Sequence, residues 1–198
     1  MPLRHELYTQ LFTGPPHPTA DFTGKTIVVT GSNVGLGKEA VKHFVRLKAA
    51  RVIIACRSVK KGEAAKHDIE AESKLAPDVI EIMKLDYGSY VSCQAFEANI
   101  AKLDRLDAVI LNAGMTTEKF EMLEDNESQI TVNVISTTLL ALLLLPTLRA
   151  SAAKHTDSVP SLTIVNSGVH AMTKFNERKS PNSLATLNSK ETAVISDR

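Results

Sequence analysis

The sequence predicts an α/β domain built on a doubly wound parallel sheet, and three observations carry that reading. Short β-branched or apolar runs alternate with helix-length amphipathic segments from residue 26 to residue 167. A glycine-rich turn, Thr30-Gly31-Ser32-Asn33-Val34-Gly35-Leu36-Gly37, joins the first such run to the first such helix. The chain has 198 residues, 43% of them hydrophobic and 23% charged, which suits one globular domain with a real core.

Taken in order, residues 1–22 form a polar N-terminal arm, in which Pro15-Pro16-His17-Pro18 excludes a helix. The domain proper spans 23–198. Strands are predicted over 26–31, 51–56, 79–85, 107–112 and 162–167. The first, Thr26-Ile27-Val28-Val29-Thr30, is a β-branched run of the kind that a parallel sheet buries on both faces. Helices are predicted over 36–48, 58–74, 89–102 and 120–150, and right-handed crossovers then make the strands parallel. In the first helix, Ala40, Val41, Phe44, Val45 and Leu47 recur at helical spacing. Residues 168–198 read as a loop with a short helix near 183–191.

Composition narrows the function. The net charge is +1 with no basic cluster, which excludes the footprint of a nucleic-acid binder or of an anionic-membrane binder. Cys56 and Cys93 have neither metal nor redox spacing and read as core residues of a protein in a reducing compartment. No apolar leader is visible, so a cytoplasmic location is expected. Ile130 to Leu148 carries no charge and approaches the length of a membrane span. Its Asn133, Ser136 and Pro146, and its place in the alternation, favour a helix buried on the sheet.

The glycine turn is the first candidate site: Gly31, Ser32, Asn33, Gly35, Leu36 and Gly37 would bring backbone N–H groups and a helix N-terminus up to a pyrophosphate. A glycine turn between strand and helix also serves plain structure. The turn is not a phosphate loop of the nucleotide hydrolases, because Gly37-Lys38 is followed by Glu39 rather than by Ser or Thr. After the second strand stand Arg57, Lys60 and Lys61, where such a fold reads the adenosine ribose. A guanidinium there favours a 2′-phosphate, hence NADP, although the same residues also make a solvated basic turn. Asp86 ends the third strand and is placed either to meet an adenine amino group or to cap the next helix. Asn112, Ala113 and Gly114 end the fourth strand, at the sheet edge where open α/β folds bind ligands; an ordinary strand-ending turn uses such residues too.

Together with Asn133 in the long helix and Ser167 after the fifth strand, these motifs make residues 22–198 resemble the short-chain dehydrogenase/reductase family, with its Rossmann-type fold. Ala55-Cys56-Arg57 followed by Lys61-Gly62-Glu63 is most similar to its retinol-dehydrogenase-like, NADP-preferring branch, and Ser167-Gly168-Val169-His170 resembles fungal members that tailor secondary metabolites. The resemblance implies hydride transfer between NADP and a small carbonyl or alcohol, with Asn133 holding a relay water and Ser167 bonding the substrate carbonyl. Read from the residues alone, Asn133 is a buried amide that needs partners, which a purely structural role also supplies. The family's Tyr-x-x-x-Lys motif has no counterpart here, since the tyrosines are Tyr8, Tyr87 and Tyr90. The expectation is a reductase truncated before that motif, lacking the C-terminal helix and strands of the family. It is either an enzyme or an inactive member that keeps nucleotide or partner binding. Expected protein partners are a second copy or a full-length relative.

Overall fold

The computed structural model describes residues 11–14, 16–73, 78–168 and 174–191. Five parallel strands form the central sheet: β1 (Thr26–Thr30), β2 (Arg51–Cys56), β3 (Ile80–Lys84), β4 (Ala108–Leu111) and β7 (Ser161–Ile164). Their spatial order is β3-β2-β1-β4-β7, so the winding reverses between β1 and β4. Every residue of β1 is buried, as its unbroken Thr-Ile-Val-Val-Thr run requires of a central strand. The register sets Ile27 against both Val52 and Ala108.

Helices lie on both sides of the sheet, although the edge strand β7 stays mostly exposed. α1 (Gly35–Arg46) and α2 (Val59–Ser73) follow β1 and β2, while α3 (Tyr90–Ile100) and α4 (Thr137–Lys154) follow β3 and the loop after β4. Alternation along β1 sorts the core into two layers. Ile27 and Val29 pack with Val41, Val45 and Ile69 on the α1–α2 side, and Val28 packs with Phe96, Leu140 and Leu144 on the other. Ser89 caps α3, its hydroxyl accepting from the Ser92 amide at 3.3 Å. Ahead of the domain, Phe22 meets Phe44 edge-on at 5.0 Å.

The sequence reading fails at the start of the long helix. Residues 122–127 are a hairpin, β5 (Met122–Leu123) with β6 (Asn126–Glu127), whose turn puts Glu124 at φ +53°. Helix then begins only past Glu127, whose buried carboxylate accepts from the Gln129 and Ile130 amides at 3.0 and 3.2 Å. Ile130–Ser136 is a π-helical segment that runs directly into α4. Ile130–Lys154 is long and apolar enough by composition to cross a bilayer, yet its Leu140, Leu144 and Leu148 stripe is buried against the sheet. After β7, which ends at Ile164 rather than at 167, come a 3₁₀ turn (Asn176–Lys179) and α5 (Ser183–Leu187).

Candidate nucleotide site at the carboxyl edge of the sheet

The loops that leave β1 and β4 meet at the reversal of strand order, the place where open α/β sheets hold ligands. Three glycines shape the first loop for different reasons. Gly31 turns at φ +66°, and a Cβ there would lie 2.8 Å from Ala113 Cα, so the β1 and β4 loops touch backbone to backbone. At Gly37 a Cβ would lie 2.6 Å from Asn112 Nδ2 and 2.8 Å from Gly31 O, which makes this glycine the condition for seating α1 against the sheet. Gly35, at φ +57°, faces open space: a Cβ there would meet nothing within 4 Å. The N-cap residue of α1, Val34, offers no side-chain acceptor to the first amides of the helix. An anion at Gly35 would therefore find a helix N-terminus without a competing cap.

Ser32 is buried, and its hydroxyl donates to Val29 O at 2.6 Å, so it locks the turn. Asn33 is half-buried, whereas Val34 and Leu36 stand exposed and form an apolar rim beside Gly35. Beyond β2, Arg57, Lys60 and Lys61 are exposed, and among the described residues no acid forms an ion pair with them. Ser58 holds the start of α2 through its hydroxyl, 3.4 Å from the Lys61 amide. Gly62 lets that helix settle, because a Cβ would lie 2.8 Å from Ile82 and 2.9 Å from the Cys56 thiol. Both cysteines are buried, as the sequence reading expects, and burial pushes the Cys93 thiol up to about 11.

Asp86 is half-buried and accepts from the Gly88 amide at 2.9 Å, a local turn. It does not cap α3, since Ser89 does. Asn112 donates from its side chain to Thr30 O at 3.0 Å, tying β4 to β1. The amides of Asn112 and Ala113 both donate to Thr30 Oγ1, each at 3.0 Å. Thr30 is the residue the sequence reading missed. It stood at the junction of the first strand and the glycine turn without a role, and its one distinguishing signal was a hydroxyl at the sheet's carboxyl edge.

Asn133 corrects a second expectation, because it is exposed rather than buried. Its amide is nevertheless bonded at both ends: Oδ1 accepts from the Met115 amide at 2.9 Å, and Nδ2 donates to Met115 O at 2.8 Å. Gly114 lies beneath it, where a Cβ would come 3.3 Å from Asn133 Oδ1. Its position within a π-helical segment is one that recurs at functional sites. Ser167 is exposed three residues past β7, at the same edge of the sheet. Val169 and His170, quoted with it in the sequence reading, lie outside the described residues, as does Tyr8.

This arrangement of a parallel sheet, a glycine turn at its switch point and an Asn-Ala-Gly loop beside it defines a Rossmann-type doubly wound fold. The short chain dehydrogenase profile matches residues 25–166, and the chain belongs to that family. Over 190 residues it is 50% identical to the short chain dehydrogenase/reductase dmxR8 of a Cryptosporiopsis species, covering 94% of this chain and 58% of that protein. It is 42% identical to the short-chain dehydrogenase anuD of Penicillium roqueforti, covering 97% of this chain and 50% of that one. The chain thus spans about half to three fifths of the length of these relatives. Among solved structures, the oxidoreductase yciK of E. coli aligns with TM-score 0.60 at 28% identity, over 86% of this chain and 65% of that one. A short-chain dehydrogenase from Sphingobium yanoikuyae, solved in complex with NADPH, shares the fold at TM-score 0.63 and 23% identity, over 76% of this chain and 57% of that one.

Proposed function

We propose that the chain is the nucleotide-binding part of an NADP-dependent oxidoreductase that interconverts a small carbonyl and its alcohol. The observation that carries the reading is the open space at Gly35, set at an uncapped helix N-terminus and followed after β2 by the exposed Arg57, Lys60 and Lys61, which form no ion pair among the described residues. The amides at the start of α1 would hold the pyrophosphate, with Gly31 and Gly37 holding the turn around it. Arg57, with Lys60 and Lys61, would take the 2′-phosphate, Asp86 would accept from the adenine amino group, and Asn112, Ala113 and Gly114 would form the wall beside the nicotinamide ribose. When bound, the cofactor supplies or accepts the hydride. Asn133 would hold a water through the second N–H of its side-chain amide, beyond its bond to Met115 O, and Ser167 would donate to the substrate carbonyl oxygen. The substrate class, a small carbonyl or alcohol in a tailoring step of secondary metabolism, follows from the family resemblance and from relatives in fungi.

Binding without turnover is the second reading, and the tyrosine positions favour it. Tyr87 is buried in the core, and the Tyr90 hydroxyl accepts from Asn126 Nδ2 at 3.3 Å. Neither is followed four residues on by a lysine, so these residues hold no phenol with an ammonium partner to act as general acid. Calorimetric titration with NADPH and NADH tests the shared part. A charge-assisted phosphate contact is worth about 1.5–3 kcal/mol, so NADPH should bind tenfold or more tightly, and Arg57→Ala should remove most of that difference. Equal affinities for the two cofactors would sink the NADP assignment. NADPH-dependent turnover of a carbonyl by the 198-residue chain would sink the binding-only reading.

A further inference from the structure

We propose that Tyr87 is a positioning residue for the Asn112–Met115 loop, acting through two separate bonds that converge on it. The first runs through its hydroxyl. Thr30 Oγ1 accepts from the amides of Asn112 and Ala113, which occupies both of its lone pairs. Its own proton then goes to Tyr87 Oη at 3.1 Å, its remaining partner among the described residues. Thr30 is completely buried, so no solvent can replace that acceptor.

The second bond runs through the backbone. Tyr87 O accepts from Ser136 Oγ at 2.6 Å, and Ser136 is the last residue of the π-helical segment that carries Asn133. Asn133 in turn clamps Met115 by both its amide and its carbonyl. The loop is therefore gripped at Asn112 and Ala113 by Thr30 and at Met115 by Asn133, and Tyr87 braces both grips. Burial of Tyr87 among Val28, Phe96 and Leu140 keeps this crosspiece in place. The sequence reading set Tyr87 aside once it failed the Tyr-x-x-x-Lys pattern. The structure gives it a different task, that of fixing the wall of the proposed nicotinamide pocket, and for that function the inference rests on the NADP reading.

Amide hydrogen exchange separates the two. In Tyr87→Phe, the Asn112 and Ala113 amides should exchange about tenfold faster. The Gly31 amide, which donates to Ala55 O, should keep its rate. NADPH affinity, measured where the variant is fully folded, should weaken by a similar factor. In a Thr30→Val background the further change Tyr87→Phe should add nothing. Ser136→Ala, which leaves the hydroxyl pair intact, should instead quicken exchange at Met115 and spare Asn112 and Ala113. Unchanged rates in both variants, or acceleration spread evenly to Gly31, would overturn the proposal. If the exchange pattern appears while the parent chain binds neither NADPH nor NADH, the bracing stands and the nucleotide reading falls. Should Tyr87→Phe fail to fold, the Ser136→Ala pattern decides alone, and an unselective response there counts against Tyr87.

Discussion

A Cβ on Gly37 would press into Asn112 and the Gly31 carbonyl, whereas one on Gly35 would enter empty space, so two glycines of one turn have different tests. Gly37→Ala should destabilise the fold by about 1–3 kcal/mol, because backbone at 2.8 Å cannot move aside as a side chain can. Gly35→Val should cost roughly 1–2 kcal/mol for its left-handed φ and yet abolish NADPH binding, since its side chain fills the space proposed for the pyrophosphate. Urea denaturation and calorimetry on both variants check this, and a folded Gly35→Val protein with parental NADPH affinity would leave the turn with a structural role alone. The glycine turn was legible in the sequence because its chemistry is local: spacing, strand before, helix after. Thr30 and Tyr87 were not legible, because a hydroxyl shared between residues 57 positions apart in sequence has no local pattern. Asn133 was half legible. Its residue type signalled a need for partners, but its exposure depends on which turn of the helix faces the loop.

At the scale of elements, the strands were readable because short apolar or β-branched stretches alternate with helix-length segments, and β2 falls on its expected bounds of 51–56. The stretch 120–127 was misread, since Met122, Leu123 and Phe120 fit a helical period until the Glu124-Asp125 turn is known to take a positive φ. What then starts the helix is Glu127, a buried carboxylate that accepts from the Gln129 and Ile130 amides. Glu127→Ala should therefore lower stability by about 1–3 kcal/mol in urea denaturation, with Glu127→Gln retaining part of it through its carbonyl oxygen. A loss within about 0.5 kcal/mol, the usual range of an inert surface substitution, would mean that the cap contributes little. The π-helical geometry that follows is held by side chains: Thr137 Oγ1 donates to Val132 O at 3.0 Å, and Ser136 is held by Tyr87.

Across the whole molecule, the end of the sheet away from the glycine turn is closed by a charged clasp. Asp107, on the threshold of β4, accepts from the Thr26 amide at 2.9 Å, from Arg105 through both oxygens at 2.8 Å and from the Ser158 hydroxyl at 2.5 Å. Burial by itself would raise its pKa, but Arg105, Ser158 and the Thr26 amide together hold the carboxyl below the usual carboxylate range. A folded pKa below the unfolded one makes the contribution present above pH ~4 and lost as pH falls through the folded value. Thermal unfolding should accordingly shift to lower temperature on acidification below about pH 4. Asp107→Asn should start from a lower melting temperature and show a flatter acid limb. An unchanged acid limb would assign the acid sensitivity elsewhere, although Asp21, Asp68, Asp104 and Asp157 are lowered only at exposed, solvent-screened positions. The clasp ties β1, β4 and the Asp157–Ser158 approach to β7 at one pole, while the glycine and Asn-Ala-Gly loops occupy the other. Strands of four to six residues put roughly 13–20 Å between the poles, a distance at which substitution energies add rather than couple. Substitutions at the glycine-turn pole can thus accumulate without renegotiating the anchorage that keeps the other end of the sheet shut.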